Sequence, residues 1–153
     1  MVDIVTPSKR SEMMSGIRGK NTKPELFIRS GLFHRGFRFR VHVSKLPGKP
    51  DIVLSKYKAV ILVNGCFWHG HGCSLFKWPS SRVEFWHGKI EENRKHDDEL
   101  LGALGTQGWR TMVVWECAMK GKGKWSPEKM LDAIEYWILH GSKYSEIGEQ
   151  RVG

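Results

Sequence analysis

The chain is 153 residues long, one domain's worth, enough to bury roughly two thirds of its unfolded surface and hold a core without disulfides. Three cysteines, no apolar N-terminal leader and no run of membrane-spanning length argue against secretion or membrane insertion and for a reducing cytoplasm. A formal net charge of +9 and a pI of about 9.6 make nucleic acid the expected partner, ahead of an anionic membrane surface.

Residues 1–21 are polar and basic, with Lys9, Arg10, Arg18 and Lys20 around Met13-Met14. They read as an arm with a short helical piece or as a solvated terminus. Thr22-Lys-Pro-Glu25 has the Thr-x-x-Glu form of a capping box with proline in the first turn, which predicts a helix to about Phe33. Residues 37–43 alternate apolar and polar as a half-buried strand does, and the proline-rich segment 44–50 is a turn. Residues 51–54 and 57–63 are predicted as a hairpin bent around Ser55-Lys56. Ser81-Arg-Val-Glu84, a second capping-box pattern, predicts a long helix to about Leu104, heavily charged and solvated between Glu91 and Glu99. After Gly108 comes a strand, residues 109–115, then a basic glycine-containing loop, and Ser126-Pro-Glu128 caps a last helix with Met130, Ile134, Trp137 and Ile138 on one face. Beyond Gly141 no strong pattern remains. The expected organisation is an arm (1–21), an α/β domain (22–140) with a small mixed sheet flanked by helices, and a tail (141–153).

Between the third and fourth predicted strands lies an unusual stretch, Leu62-Val-Asn-Gly-Cys-Phe-Trp-His-Gly-His-Gly-Cys73. Cys66, His71 and Cys73 follow Cys-x4-His-x-Cys, and Cys117 lies 44 residues further on, at the end of another apolar run. Four soft donors that use every cysteine in the chain predict a closed tetrahedral zinc site of structural type, tying two strand ends together. The alternative is three small hydrophobes that happen to be cysteines, with His71 on the surface. Phe67, Trp68 and His69 fall between the ligands, so a rigid knot there would present two rings and an imidazole. Several of the seven tryptophans, among them Trp68, Trp78 and Trp86, lie in basic segments where rings suit stacking on bases.

Three residues are candidates for chemistry. Asp51 opens an apolar strand beside a turn, placed either to hold Mg²⁺ or simply to close the turn. His69 could serve as a general base toward water, or lie beside the metal site with no role in chemistry. Glu25 is a further carboxylate, whose competing role is the helix cap. Together with the basic surface they point to metal-assisted phosphodiester hydrolysis.

Leu46-Pro-Gly-Lys-Pro-Asp51, Gly65-Cys-Phe-Trp-His69 with His71 and Cys73, Glu84-Phe-Trp86, Gly108-Trp-Arg110 and Val114-Trp-Glu-Cys-Ala118 together resemble, in order and spacing over about residues 8–140, the very short patch repair mismatch endonucleases of bacteria. The resemblance implies a restriction-endonuclease-like fold and a nickase acting 5′ to the thymine of T:G mismatches, which arise when 5-methylcytosine deaminates. It implies that Asp51 and the main-chain carbonyl of Val63 bind Mg²⁺, that His69 activates water with Glu25 nearby, and that Cys66, His71, Cys73 and Cys117 hold zinc. Phe67, Trp68 and Trp86 would enter the duplex from the major groove and Met14 from the minor groove. Its implied partners are mismatched duplex DNA, other mismatch-repair proteins and a cytosine-5 methyltransferase system, with the enzyme a cytoplasmic monomer.

Two positions depart from the family pattern, which has threonine then histidine where this chain has Val63 and Asn64. A backbone ligand tolerates the first change. The second removes an active-site imidazole: Asn64 can hydrogen-bond a phosphate or water but carries no proton. A mismatch-binding module with impaired catalysis is therefore the alternative function, and a restriction-type endonuclease indifferent to mismatches is a third.

Overall fold

The computed structural model describes residues 22–150. Its sheet has five strands in the order β1 (Arg40–Val41), β2 (Ile52–Leu54), β3 (Ala59–Asn64), β4 (Arg110–Trp115) and β5 (Tyr144–Ile147). The first three strands pair antiparallel, and β3–β4 and β4–β5 pair parallel. Parallel neighbours need crossovers, supplied by α2 (Val83–Thr106) between β3 and β4 and by α3 (Pro127–His140) between β4 and β5. The α/β class with a mixed sheet between helices agrees with the sequence reading.

Strand alternation divides the core in two. Ile52, Leu54, Ile61, Met112 and Val114 face Ile28 and Leu32 of α1 (Lys23–His34) and Met130, Ile134, Trp137 and Ile138 of α3. Val53 and Val60 point the other way, to Leu104 of α2, with Leu100 and Trp109 packed around them. Each fully buried Ile or Leu of this kind contributes about 1.5–3 kcal/mol.

The caps explain where α1 and α3 begin. Thr22 Oγ1 accepts the Glu25 amide at 3.3 Å, and Ser126 Oγ accepts the Lys129 amide at 3.2 Å, each with a proline in the first turn. The start of α2 differs from expectation. Ser81 does not cap it; Arg82 does the turning in the left-handed region (φ 51°), without a side-chain cap bond, its guanidinium 4.4 Å from the centre of the Phe85 ring.

Two further differences bear on the site. The strand expected over 37–43 is reduced to two exposed paired residues, because His42 adopts φ 48° and ends it. The tail expected after Gly141 instead carries β5, hydrogen-bonded along β4 with Ile147 buried beneath it. Trp125 Nε1 donates to the Gly148 carbonyl at 2.7 Å, so this segment also seals the sheet end that carries Cys117.

Candidate active site and metal cluster

The C-terminal ends of β3 and β4 lie side by side, Asn64 opposite Trp115, and each strand runs directly into a cysteine segment. Cys66, His71, Cys73 and Cys117 accordingly converge, one ligand atom from each lying within 4.8 Å of all the others. Cys117 Sγ is 3.5 Å from His71 Nδ1, against the about 3.6 Å that a tetrahedral ion with ordinary zinc–sulfur and zinc–nitrogen bonds would set.

The local environment suits a cation. Burial pushes the thiols of Cys66 and Cys117 up, which favours the protonated form unless a positive charge is near. Burial likewise lowers the His71 imidazole, favouring the neutral ring a metal needs. The backbone amide of Glu149 donates to Cys117 Sγ at 3.2 Å, and the His71 ring stacks on Trp115 at 4.0 Å with 3° between planes. The four residues can hold a metal ion.

This knot fixes the chain between its ligands. Phe67 meets Trp68 and Trp86 edge-on at 5.3 Å each, and Trp68 lies 5.8 Å from Trp86. The three rings expected to act together do form one half-buried cluster. Met14 lies outside the described residues. At Gly70 (φ 60°) an added Cβ would come within 2.5 Å of Ile90 and 2.7 Å of Arg94, so only glycine lets the loop sit this close to α2.

Helix α2 grips the loop from behind. Asn93 Nδ2 donates to the Trp68 carbonyl at 2.8 Å, Arg94 donates to the Gly70 carbonyl, and His69 Nδ1 is 2.6 Å from Asp97 Oδ2. Asp97 is missing from the sequence-based candidates, because the charge of residues 91–99 reads as a solvated face. A signal is nonetheless there: Asn93, Arg94 and Asp97 continue the apolar stripe of Ile90, Leu100, Leu101 and Leu104 at helical spacing, so they have to face protein.

Asp51 sits at the head of β2, buried, with Oδ2 accepting the Val63 amide at 2.6 Å. Burial, opposed by that hydrogen bond but reinforced by the Glu25 carboxylate, pushes its carboxyl up to about 7. Glu25 is 1% exposed and its carboxylate faces His42 Nε2 at 2.7 Å and Arg29 at 3.6 Å, while its backbone amide takes part in the cap of α1. His42 Nε2 also lies 3.8 Å from Asp51 Oδ1, and one atom each from Glu25, His42 and Asp51 falls within 4.8 Å of the others. In the sequence His42 is one more residue of an alternating strand; nothing in that pattern announces its positive φ.

A cleft of about 960 Å³ joins the parts: Asp51, Val63, Asn64, Trp68, His69 and Asp97 all line it. A mixed sheet between helices, with a buried carboxylate and a metal-competent Cys/His cluster at one end of its inner strands, is the restriction-endonuclease-like class of fold.

Comparison with known proteins agrees. Residues 2–75 match the family model described as DNA mismatch endonuclease Vsr. The chain is 39% identical over 152 residues to the DNA mismatch endonuclease Vsr of Escherichia coli, covering 99% of this chain and 97% of that protein. It is 46% identical over 123 residues to the type II nicking enzyme V.XorIIP of Xanthomonas oryzae pv. oryzae (80% and 90% covered). To V.NmeAIP of Neisseria meningitidis it is 48% identical over 122 residues (80% and 87%). The chain belongs to the Vsr family of DNA mismatch endonucleases.

Proposed function

We propose that this protein is a DNA endonuclease that nicks one strand of a duplex on the 5′ side of the thymine in a T:G mismatch, initiating very short patch repair of deaminated 5-methylcytosine. The observation that carries the reading is the shared cleft, which sets a buried carboxylate and a histidine–aspartate pair beside Trp68 and its ring cluster. Asp51 and the Val63 carbonyl would hold Mg²⁺, and zinc would occupy the Cys66/His71/Cys73/Cys117 cluster. Bound magnesium supplies charge stabilisation at the scissile phosphate.

The remaining roles belong to the chain itself. His69 donates its Nδ1 proton to Asp97, which leaves Nε2 as the acceptor for a proton from water. Glu25, buried behind Asp51, adds negative charge to the metal site. Asn64 offers an amide to the phosphate or water. Phe67, Trp68 and Trp86 open the mismatched step from the major groove and Met14 from the minor groove, at a cost of a few kcal/mol per step that is least where pairing is already faulty. The positive charge supplies phosphate affinity that falls as salt rises.

Asp97→Asn is expected to lower the nicking rate by about a hundredfold or more, since an amide no longer selects the Nδ1–H tautomer, while leaving DNA affinity within about twofold. Single-turnover rates and equilibrium binding on the same T:G duplex separate the two effects; equal losses in both would show Asp97 to be merely structural.

The function is tested by incubating end-labelled T:G and T:A duplexes with protein and Mg²⁺ and mapping products on each strand. One nick 5′ to the mismatched thymine, dependent on Mg²⁺, is the expected result. Cleavage of both strands of the matched duplex would instead identify a restriction-type enzyme. Asn64, which gives the cleft an amide with no proton to transfer, favours a second reading, a mismatch-binding module with impaired catalysis. Tight T:G binding without product at any pH or divalent ion would establish it.

A further inference from the structure

We infer that His42 is a nitrogen ligand to the divalent ion held at Asp51, making Glu25, His42 and Asp51 a mixed nitrogen–oxygen site that takes Mn²⁺ or a later first-row divalent ion in preference to Mg²⁺. The inference rests on the proposed role of Asp51 as a metal ligand and adds to it a ligand and a metal preference.

The first ground is placement. His42 Nε2 lies 2.7 Å from Glu25 Oε2 and 3.8 Å from Asp51 Oδ1, with all three donor atoms within the span of a single ion's ligands. The other oxygen of Asp51 is already occupied by the Val63 amide, so Oδ1 is the atom turned toward the imidazole. A lone acidic pair at this spot could be no more than a helix cap beside a turn; an imidazole between two carboxylates is a donor set.

The second ground is the state of Nε2 itself. It is shut off from solvent, and despite its closeness to Glu25 it makes no aligned hydrogen bond among the described residues. A buried ring nitrogen normally finds a partner. A cation between the imidazole and the carboxylates would give it one and would at the same time add positive charge beside two buried acids that share one nearby guanidinium, Arg29.

The third ground is the backbone. His42 holds φ 48°, a conformation uncommon outside glycine though more accessible to Asn, Asp and His, and it ends β1 by doing so. A residue continuing the strand would keep the period-two alternation. The left-handed turn breaks it and leaves the ring beside the head of β2, where Asp51 immediately precedes the strand. Strained residues of this kind cluster where a side chain must be aimed.

Mn²⁺ shares with Mg²⁺ a liking for carboxylate oxygens but, as a first-row transition ion, binds an imidazole nitrogen more tightly than Mg²⁺, which gives up its waters reluctantly. The test is electron spin-echo envelope modulation of Mn²⁺ added to zinc-loaded protein, with binding titrations of Mn²⁺ and Mg²⁺ alongside, on the wild type, His42→Asn and Asp51→Asn. Asparagine tolerates the left-handed conformation, so the turn at position 42 is kept. The wild type should show a directly bound ¹⁴N that His42→Asn abolishes, and that variant should bind Mn²⁺ about tenfold or more weakly while its Mg²⁺ affinity changes less than about threefold. Mn²⁺ that needs Asp51 but shows no nitrogen coupling, or coupling that persists in His42→Asn, overturns the inference and leaves the metal role of Asp51 intact. Mn²⁺ binding unchanged in Asp51→Asn overturns the underlying reading instead. Should His42→Asn lack a native circular dichroism spectrum, ¹⁵N-histidine wild type gives the same answer: substoichiometric Mn²⁺ broadens the assigned His42 Nε2 resonance more than that of His69, and its persistence overturns the inference.

Discussion

Replacing Asp51 with asparagine is expected to reduce nicking of a T:G duplex by about a thousandfold or more, because the charge that offsets the scissile phosphate in the transition state has lost its anchor. The same change should stabilise the metal-free protein at alkaline pH. The folded carboxyl is pushed up to about 7 by burial, opposed by the Val63 amide and reinforced by Glu25, whereas an unfolded aspartate titrates near 4. Between those values the folded state holds a proton the unfolded state has released, so this group's contribution to stability is full at low pH and is lost as pH rises through 7. Above pH 7 a buried charge remains without its counter-ion, a penalty of up to about 4 kcal/mol from a three-unit shift. Thermal melts in chelator at pH 5 and pH 8 should therefore show Asp51→Asn gaining on the wild type only at the higher pH. Added Mg²⁺ should raise the melting temperature of the wild type alone. A variant less stable than the wild type at both pH values would show Asp51 to be a turn residue.

Cys73→Ser is expected to have the largest effect on stability. Cys73 is the one cysteine of the four-ligand cluster that is not fully buried, so its loss does least to the core and most to the metal. A tetrahedral structural site contributes folding free energy directly, and a domain's whole stability is only about 5–15 kcal/mol. Losing a ligand leaves Cys66 and Cys117 as buried thiols that burial keeps protonated, and it unties the strand ends of β3 and β4. Metal content measured by mass spectrometry should fall from about one zinc per chain to near zero, with the melting transition lost or greatly lowered. Chelation of the wild type should reproduce that loss. A well-folded variant without metal would show that the sheet holds its corner unaided.

Both results concern residues that the amino-acid sequence alone singles out, and the reason is that their chemistry is local. Cysteine and histidine spacing, a proline-rich turn ahead of Asp51, and the Thr22 and Ser126 caps are visible in the sequence because each depends on neighbours a few residues away. What stays hidden depends on distant partners. Strand β5 has only Ile147 buried and is held by its ladder to β4, so its sequence carries no alternation to read. Asp97 and His69 are 28 positions apart and meet only because Gly70 lets the loop lie against α2. His42 looks like a strand residue because period two fits it; a positive φ leaves no mark on hydropathy. The capping pattern at Ser81 misleads for the opposite reason. Arg82 turns the chain one residue later and stacks on Phe85, which a local motif cannot anticipate.

The central claim is that the Cys/His knot holds rings that pry at a weak base pair beside the carboxylate site. It is tested most directly by the ratio of single-turnover nicking rates on T:G and T:A duplexes, measured for the wild type and for Trp68→Ala across a range of salt. Base–ring stacking worth about 1–3 kcal/mol should appear as a ratio narrowed by about 5- to 150-fold in the variant, with the salt dependence of binding unchanged. Equal slowing on both duplexes, with the ratio preserved, would make Trp68 a packing residue and contradict the account.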